Sequence, residues 1–304
     1  MEINSKVSAL IVTYNRLELL KQSIEALQKQ EYPLAHIIVV DNNSNEDTKE
    51  YLTSLGDAID YVRLPENIGG AGGFNQGIRY FMEKTADDYI WIMDDDTITH
   101  LDSLQEFMNF AQTTPDFSFL SSQVLWKDGD LAKMNRAKYV NGGRIPLSEA
   151  KAVETQNATF VSLLMPRSIV KQIGLPITDF FIWGDDMEYT DRAYRVKPGY
   201  YVPASKVTHA TAANVGSSLI NDSADRTPRY FYHYRNKVYY ARQRSLYRRL
   251  RSEVRPVVDY LQIMFSKTTD KKAKLAIIRK GVGAGYKFNP KIEFANDSKK
   301  TSNK

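Results

Sequence analysis

The apolar run Ile90-Trp91-Ile92-Met93 breaks abruptly into Asp94-Asp95-Asp96. Three adjacent carboxylates repel one another and cannot all be buried uncompensated, so a strand that ends in them calls for a cation at its tip. The chemistry this would serve is a metal-nucleotide site; a solvated turn after an edge strand is the plainer reading of an isolated triplet. A second cluster, Asp185, Asp186, Glu188 and Asp191, follows Phe180-Phe181-Ile182-Trp183-Gly184 in what reads as a helix continuing to Arg195. Acids in a first helical turn meet the dipole favourably, but capping alone does not account for four of them beside Trp183. A carboxylate held against apolar rings gains proton affinity and can serve as a general base. His209, one of four histidines, follows a strand and could complete a metal shell with the acids, although a lone histidine is more often structural.

A third stretch, Asn67-Ile68-Gly69-Gly70-Ala71-Gly72-Gly73-Phe74-Asn75-Gln76-Gly77, leads into a helix running to about Lys84. Its glycines permit positive φ and a close backbone approach to a ligand, and the helix start offers N–H groups to an anion. No Gly-Lys-Ser/Thr follows, so this is not a Walker A loop. The Gly-x-Gly-x-x-Gly fingerprint is absent from the first turn, where a dinucleotide fold needs it. A merely flexible loop is the competing reading.

The elements that must position these residues read β-α-β-α-β. Residues 7–12 (VSALIV) are a continuous apolar run rich in β-branched side chains, suited to a strand covered on both faces. Leu17, Leu20, Ile24 and Leu27 recur at helical spacing up to Gln30, and Tyr32-Pro33 stops that helix. A second buried strand over 36–40, a short helix over 48–55 and a strand near 59–64 follow. This order predicts a doubly wound, mostly parallel α/β sheet whose ligand lies beyond the carboxyl ends of its strands. Polar residues fall at those ends each time: 13–16, 41–44, 66–67 and 94–96. One such end is turn chemistry, but four on one rim make a candidate site. Further on, the pattern predicts a helix near 101–108, a strand over 117–124 and a long loop or hairpin excursion over the site at 126–155. A strand over 158–165, a helix over 166–173 and a last short strand over 200–203 complete it.

At 304 residues and 42% hydrophobic, the chain is long enough for one large α/β domain with an appendage. The absence of cysteine excludes a disulfide scaffold and a Cys-ligated zinc site, which fits a cytosolic protein. The first residues carry an acid and run straight into a strand, unlike a signal or transit peptide. No apolar stretch approaches the ~20 residues a membrane helix needs. Bases dominate from Arg226 onward, where tyrosines and arginines interleave through 229–251, so that part suits an anionic partner. A basic amphipathic helix on an anionic membrane, nucleic-acid binding, and plain packing on the catalytic domain all compete for it. Apolar residues at Val257, Val258, Leu261, Ile263, Met264 and Phe265 favour packing combined with membrane contact and no nucleic acid.

Taken together, residues 7–16 (VSALIVTYNR), 39–44 (VVDNNS), 67–75 (NIGGAGGFN), Asp94-Asp95-Asp96 and Asp185-Asp186-Met187-Glu188-Tyr189 resemble the inverting family 2 glycosyltransferases of the GT-A fold, in the family's order, over roughly residues 5–240. The Trp183 to Tyr189 stretch and Arg235-Asn236 are similar to the galactofuranosyl- and rhamnosyl-transferases of bacterial surface polysaccharide, although Gly184 intervenes between the tryptophan and the acids. The resemblance implies a Rossmann-like GT-A domain over 1–225, its nucleotide half about 1–125 and acceptor half about 126–225. A helical extension over 226–292 and a loose tail over 293–304 would follow. It implies that Thr13, Asn15 and Arg16 border the nucleotide, that Asp41 holds the uracil or ribose, and that Asn67 and Gly70 line the diphosphate. Asp94, Asp96 and His209 would hold Mn²⁺ or Mg²⁺, with Asp95 near the ribose or sugar. Asp186 would be the catalytic base beside Asp185, with Glu188 and Trp183 on the acceptor side. The implied reaction moves a sugar, galactofuranose from its UDP donor before rhamnose from dTDP-rhamnose, onto a glycan or glycolipid at the inner face of the cell membrane, with oligomerisation open. A nucleotidyltransferase would carry a glycine- and lysine-rich loop after the first strand, where Thr13-Tyr14-Asn15-Arg16 stands. A non-catalytic sugar-nucleotide-binding protein would not need acids at both the metal and base positions.

Overall fold

The computed structural model describes residues 5–244 and 246–295, with the side chains of 246–253 left aside. The first half runs β1 (Val7–Thr13), α1 (Leu17–Gln28), β2 (His36–Asp41), α2 (Glu46–Ser54), β3 (Asp60–Arg63), α3 (Gly69–Lys84), β4 (Tyr89–Asp94), β5 (Thr97–Thr99), α4 (Ser103–Thr113) and β6 (Phe119–Leu125). The second half runs β7 (Val153–Thr155), β8 (Leu163–Pro166), α5 (Arg167–Ile173), α6 (Asp185–Tyr194), β9 (Gly199–His209), α7 (Tyr230–Arg242), α8 (Leu246–Phe265) and α9 (Lys271–Lys287). The strands form one sheet in the order β3-β2-β1-β4-β8-β6-β9-β5, with β7 also on β9. The β3-β2-β1-β4 half is parallel, while β8 and β5 run antiparallel to their neighbours.

Period-two alternation builds both faces. Ala9 and Ile11 of β1 point into the layer beneath α1 and α4, whereas Leu10 and Val12 point into the layer beneath α3 and α5. All four are 8% exposed or less, as a strand covered on both faces requires. The expected β-α-β-α-β order and mostly parallel sheet are present. Two expectations differ. The strand placed at 158–165 begins only at Leu163, and the short strand placed at 200–203 is eleven residues long, because β9 carries Pro203, Ser205 and Lys206 past a register shift opposite Ser122/Gln123.

The glycine stretch is the first turns of α3, where it serves close packing and is no flexible loop. A Cβ at Gly73 would stand 2.4 Å from Val12 Cγ1, and one at Gly77 2.3 Å from Leu10 Cδ1, so the helix lies directly on β1 because it lacks side chains there. Val12 is β-branched and buried, and its methyl cannot withdraw without leaving its rotamer. Gly73→Ala is therefore expected to destabilise the fold by about 1–3 kcal/mol through overpacking. Gly70→Ala, with open space around the new methyl, should be neutral or stabilising. Thermal melts of the two variants check this.

The C-terminal helices pack as a unit: Tyr230 and Tyr234 of α7, Ile263 of α8 and Ile278 of α9 share one core with Trp183 against it. A second contact joins Tyr239 and Phe288 to Ala71, Ile177 and Phe180 of the catalytic domain. Glu293, expected in the loose tail, is held instead: its carboxylate accepts from Asn75 and Arg79 at 2.9 Å and its carbonyl from Leu175 N–H at 2.8 Å. The rest of that tail, residues 296–304, lies outside the described residues. Among the described residues no helix is long and apolar enough to cross a membrane.

Candidate active site

The acidic triplet sits where β4 ends and β5 begins. The short strand β5 pairs antiparallel with the end of β9, setting Thr97 opposite His209, and Ala210 N–H donates to Asp96 O at 2.8 Å. This pairing carries His209 across more than a hundred residues of sequence to the acids. His209 Nε2 lies 3.1 Å from Asp96 Oδ1, and one ligand atom from each of Asp94, Asp96 and His209 falls within 4.8 Å of the others. The other ring nitrogen, Nδ1, is 2.8 Å from Asn135 Oδ1, an acceptor only, so Nδ1 bears the proton. Neutral His209 would then turn Nε2 toward the acids as a ligand, the usual outer-shell arrangement for a metal-bound histidine. Asn135 itself is held by Thr159 Oγ1 at 3.1 Å.

Electrostatics at the triplet are unbalanced. Burial pushes Asp94 up to about 7, the Asp96 charge adding to it, and burial pushes Asp95 up to about 6. Burial also works against the charge on Asp96, but His209 and Arg16 outweigh it and hold Asp96 below the usual carboxylate range. His209 is raised, because the Asp96 and Asp94 carboxylates outweigh the effect of burial. Asp96 Oδ1 is nevertheless buried without a hydrogen-bond donor, since the His209 contact has ion-pair distance but not hydrogen-bond alignment. An orphaned carboxylate oxygen, a second carboxylate and an oriented imidazole fit a divalent cation with hard-ligand preference, Mn²⁺ or Mg²⁺.

Asp95 faces the other way. Its Oδ2 accepts from Thr13 Oγ1 at 2.8 Å and its Oδ1 lies 3.3 Å from Arg16 Nη1, which also sits 2.7 Å from Asp96 Oδ2. Thr13, Arg16 and Asp95 thus fasten the end of β1 to the triplet, with the Arg16 side chain half exposed at its mouth. Asn15, at φ 56°, accepts from Asn45 N–H at 2.7 Å and so holds the start of α2. Asp41 is fully buried, and its carboxylate is taken by Ser44 N–H, Tyr61 Oη and the Arg63 guanidinium. In this structure these three donors anchor it to the rim, with one of them on Oδ1 and two on Oδ2. The start of α3 is likewise largely taken. Gly69 N–H goes to Asn67 Oδ1 at 2.9 Å and Ala71 N–H to Phe181 O at 3.2 Å, while Asn42 bonds both Ile68 N–H and Gly69 O. Gly70 alone stands in open space.

The second acidic cluster begins α6, behind a loop whose backbone is strained. Phe181 (φ 62°), Trp183 (φ 65°) and Gly184 (φ 89°) are left-handed, and Ile182 N–H closes a three-residue turn onto Phe180 O at 2.7 Å. Asn236 of α7 fastens it: its Nδ2 reaches Phe180 O at 2.9 Å, Ile182 O at 3.1 Å and Trp183 O at 2.9 Å. Arg235 donates to Asp179 O, and the Trp183 ring packs edge-on to Tyr230, centroids 5.0 Å apart. Asp186 lies behind this loop; burial pushes it up to about 6, against the Met187 N–H that donates to its Oδ1 at 2.7 Å. Asp185 is raised well above its ordinary value by burial, then by the charges of Asp186 and Asp94. Glu188 is paired: Arg192 Nε stands 2.8 Å from its Oε1, while Oε2 is buried with no hydrogen-bond partner among the described residues. Asp191 is bound by Arg195, Arg244 and Gln156. Replacing Asn236 by alanine frees three carbonyls of a strained loop at about 1–3 kcal/mol for each buried group left unpaired. Asn236→Ala should lower kcat at least tenfold with a smaller change in the donor KM, a split that steady-state kinetics reads directly.

Asn135 is announced by no spacing rule, and Asn236 stands in the sequence only as part of the Arg235-Asn236 likeness, without a role; the contacts of both are long-range. Solved structures place the architecture among GT-A glycosyltransferases. A mannosyltransferase from Pyrobaculum calidifontis in complex with GDP-Man and Mn²⁺ superposes over 95% of this chain and 77% of its own, with TM-score 0.56 and 15% identity. S. aureus TarS residues 1–349 match over 93% and 72%, with TM-score 0.54 and 13% identity, a likeness of fold alone. Sequence goes further: the family described as Glycosyl transferase family 2 matches residues 8–174, and the chain belongs to it as a glycosyltransferase. It is 26% identical over 272 residues to the galactofuranosyltransferase GlfT1 of Mycolicibacterium smegmatis, covering 81% of this chain and 86% of that protein.

Proposed function

We propose that the protein transfers galactofuranose from UDP-galactofuranose to a hydroxyl of a growing, lipid-linked cell-surface glycan, with inversion and with a divalent cation, at the cytoplasmic face of the membrane. The observation that carries this reading is the gathering of one ligand atom each from Asp94, Asp96 and His209 within 4.8 Å of one another at the strand ends, with the Asp94 charge adding to the raised proton affinity of Asp185. The similarity to galactofuranosyltransferases over most of both chains supports the sugar. Asp94, Asp96 and His209 would hold Mn²⁺ or Mg²⁺, which as a bound Lewis acid offsets the charge of a departing nucleoside diphosphate.

The chain's own residues do the rest. Arg16, half exposed beside Asp95 and Asp96, supplies a guanidinium on the nucleotide side that can turn to phosphate oxygens. Asp186, with a carboxyl poised near 6, is ionised at neutral pH and takes the proton from the acceptor hydroxyl as it attacks the anomeric carbon. Asp185, which burial raises well above its ordinary value, is biased toward the neutral form and can serve as a hydrogen-bond donor beside the base. Asn236 and Arg235 hold the loop that aims both acids. Exposed Val254, Val257, Leu261, Met264 and Phe265 on α8 would rest against the membrane.

Incubation with Mn²⁺, a lipid-linked glycan and a panel of UDP- and dTDP-sugars, following nucleotide diphosphate release, tests the proposal. UDP release with UDP-galactofuranose only is the expected result. Release of dTDP from dTDP-rhamnose would move the assignment to a rhamnosyltransferase, and no release from any donor would sink it.

A further inference from the structure

A cleft of about 910 Å³ opens between the 133–144 segment, residues 155–159, α7 and the middle of α8. Among the described residues no aspartate or glutamate lines it, whereas Lys133, Arg136, Lys138, Arg144 and Lys237 do. Two further cations on its wall are already neutralised, Arg244 by Asp191 at 3.0 Å and Arg255 by Asp259 at 2.8 Å. The first five form no ion pair among the described residues, and Arg136 Nε is buried with no hydrogen-bond partner there. Burial lowers the proton affinity of Lys237, outweighing the opposing charge of Asp259. Cations gathered without counter-charges in one concavity attract an anion and focus its approach.

The two ends of the cleft differ. Its inner end is formed by Asn135, which holds His209, and by Met187, next to Asp186. Its outer end is formed by Val254 and Val258 of α8, and from there Val257, Leu261, Met264 and Phe265 continue as an exposed apolar stripe at helical spacing. Residues beside both acidic clusters, a set of cations and the foot of an apolar stripe thus border one concavity. Those three features match a sugar hydroxyl, a diphosphate and a hydrocarbon chain in one molecule.

We propose that this cleft holds the diphosphate of a lipid-diphosphate-linked glycan acceptor, with Arg136, Lys138, Arg144 and Lys237 on the phosphate oxygens and the α8 stripe under the first part of the lipid. The assignment rests on the glycosyl-transfer reading and adds to it a recognition element for the acceptor's anchor. Farnesyl diphosphate, titrated calorimetrically in EDTA to silence the cation site, is the probe. The wild type is expected to bind it at least tenfold more tightly than inorganic pyrophosphate. Arg136→Gln/Arg144→Gln should weaken that binding at least tenfold while UDP binding with Mn²⁺ and the melting temperature stay unchanged. Equal affinity for farnesyl diphosphate and pyrophosphate would overturn the lipid part. A matching loss of binding to phosphatidylglycerol vesicles would make the cleft a membrane-surface patch and overturn the acceptor assignment. An unaffected double variant would overturn the site altogether. None of these readouts measures transfer, so nucleotide release from a sugar donor still judges the glycosyl-transfer reading independently.

Discussion

Asp186→Asn is expected to abolish sugar transfer, lowering kcat by the 10²–10⁴-fold or so that a positioned general base contributes, while donor binding stays within about twofold of wild type. The replacement is isosteric, and its amide can still accept the Met187 N–H that the carboxylate accepts now at 2.7 Å. What it removes is the ability to take a proton. The pH profile carries a second, independent signature. With burial holding Asp186 up to about 6, the base is protonated below that pH, so kcat should fall about tenfold per unit of further acidification and level off above pH 7. Loss of that acidic limb is the mark of Asp186. A profile that keeps the limb in the asparagine variant would assign it to another group and remove Asp186 from the role.

Stability should move in the opposite direction to activity. Asp186 has a folded pKa raised above its unfolded value of 3.8, so the native state prefers the neutral form. Its contribution is therefore present below about pH 4 and is lost as pH rises through the folded value near 6. At pH 7.5 the wild type carries an ionised, partly desolvated carboxylate that the asparagine variant lacks. Asp186→Asn should melt no lower than wild type at that pH, and a markedly lower melting temperature would mean that lost activity reports lost structure. The same reasoning separates Asp185, whose carboxyl burial biases toward the neutral form and whose replacement by asparagine should leave the acidic limb in place.

How these groups are assembled shows what local pattern can and cannot reveal. The buried parallel strands were legible because β1 and β2 are unbroken apolar runs, and the polar residues at their ends were legible because each run stops abruptly. The glycine stretch left a ligand-facing turn and a flexible loop open, since glycine has the same signature whether it admits a phosphate or a neighbouring strand; Val12 and Leu10 beneath Gly73 and Gly77 show the packing use at those two positions. The full length of β9 was hidden by Pro203, Ser205 and Lys206, which break the apolar pattern while the ladder to β6 continues past a shifted register. The three residues of β5 were too short to register at all, yet their pairing with β9 brings His209 to Asp96. The Tyr- and Arg-rich segment was divided in expectation between membrane and packing, and Asn236 shows a further use: it fastens the loop in front of Asp185 and Asp186 from fifty residues away.

Asp96 is the residue through which the triplet should be most sensitive. Its Oδ1 is buried without a donor and its Oδ2 is 2.7 Å from Arg16, so it is the one acid tied both to His209 and to the nucleotide-side cation. Asp96→Ala should weaken Mn²⁺-dependent UDP binding by ~100-fold or more, about 2.7 kcal/mol on the scale where 1.4 kcal/mol is tenfold. Asn135→Ala, which leaves all three candidate ligands in place and removes only the acceptor that orients the His209 ring, should cost roughly 10–100-fold. The graded order of the two variants matters more than either value. If the site were only a set of ion pairs stabilising the turn, Asp96→Ala would strand Arg16 and His209 and lower the melting temperature, while UDP affinity would be the same with Mn²⁺ as with EDTA. Calorimetric titration of UDP under both conditions, for wild type and both variants, separates these outcomes: a wild-type affinity indifferent to the cation would leave Asp94, Asp96 and His209 as a structural cluster and withdraw the metal from the mechanism.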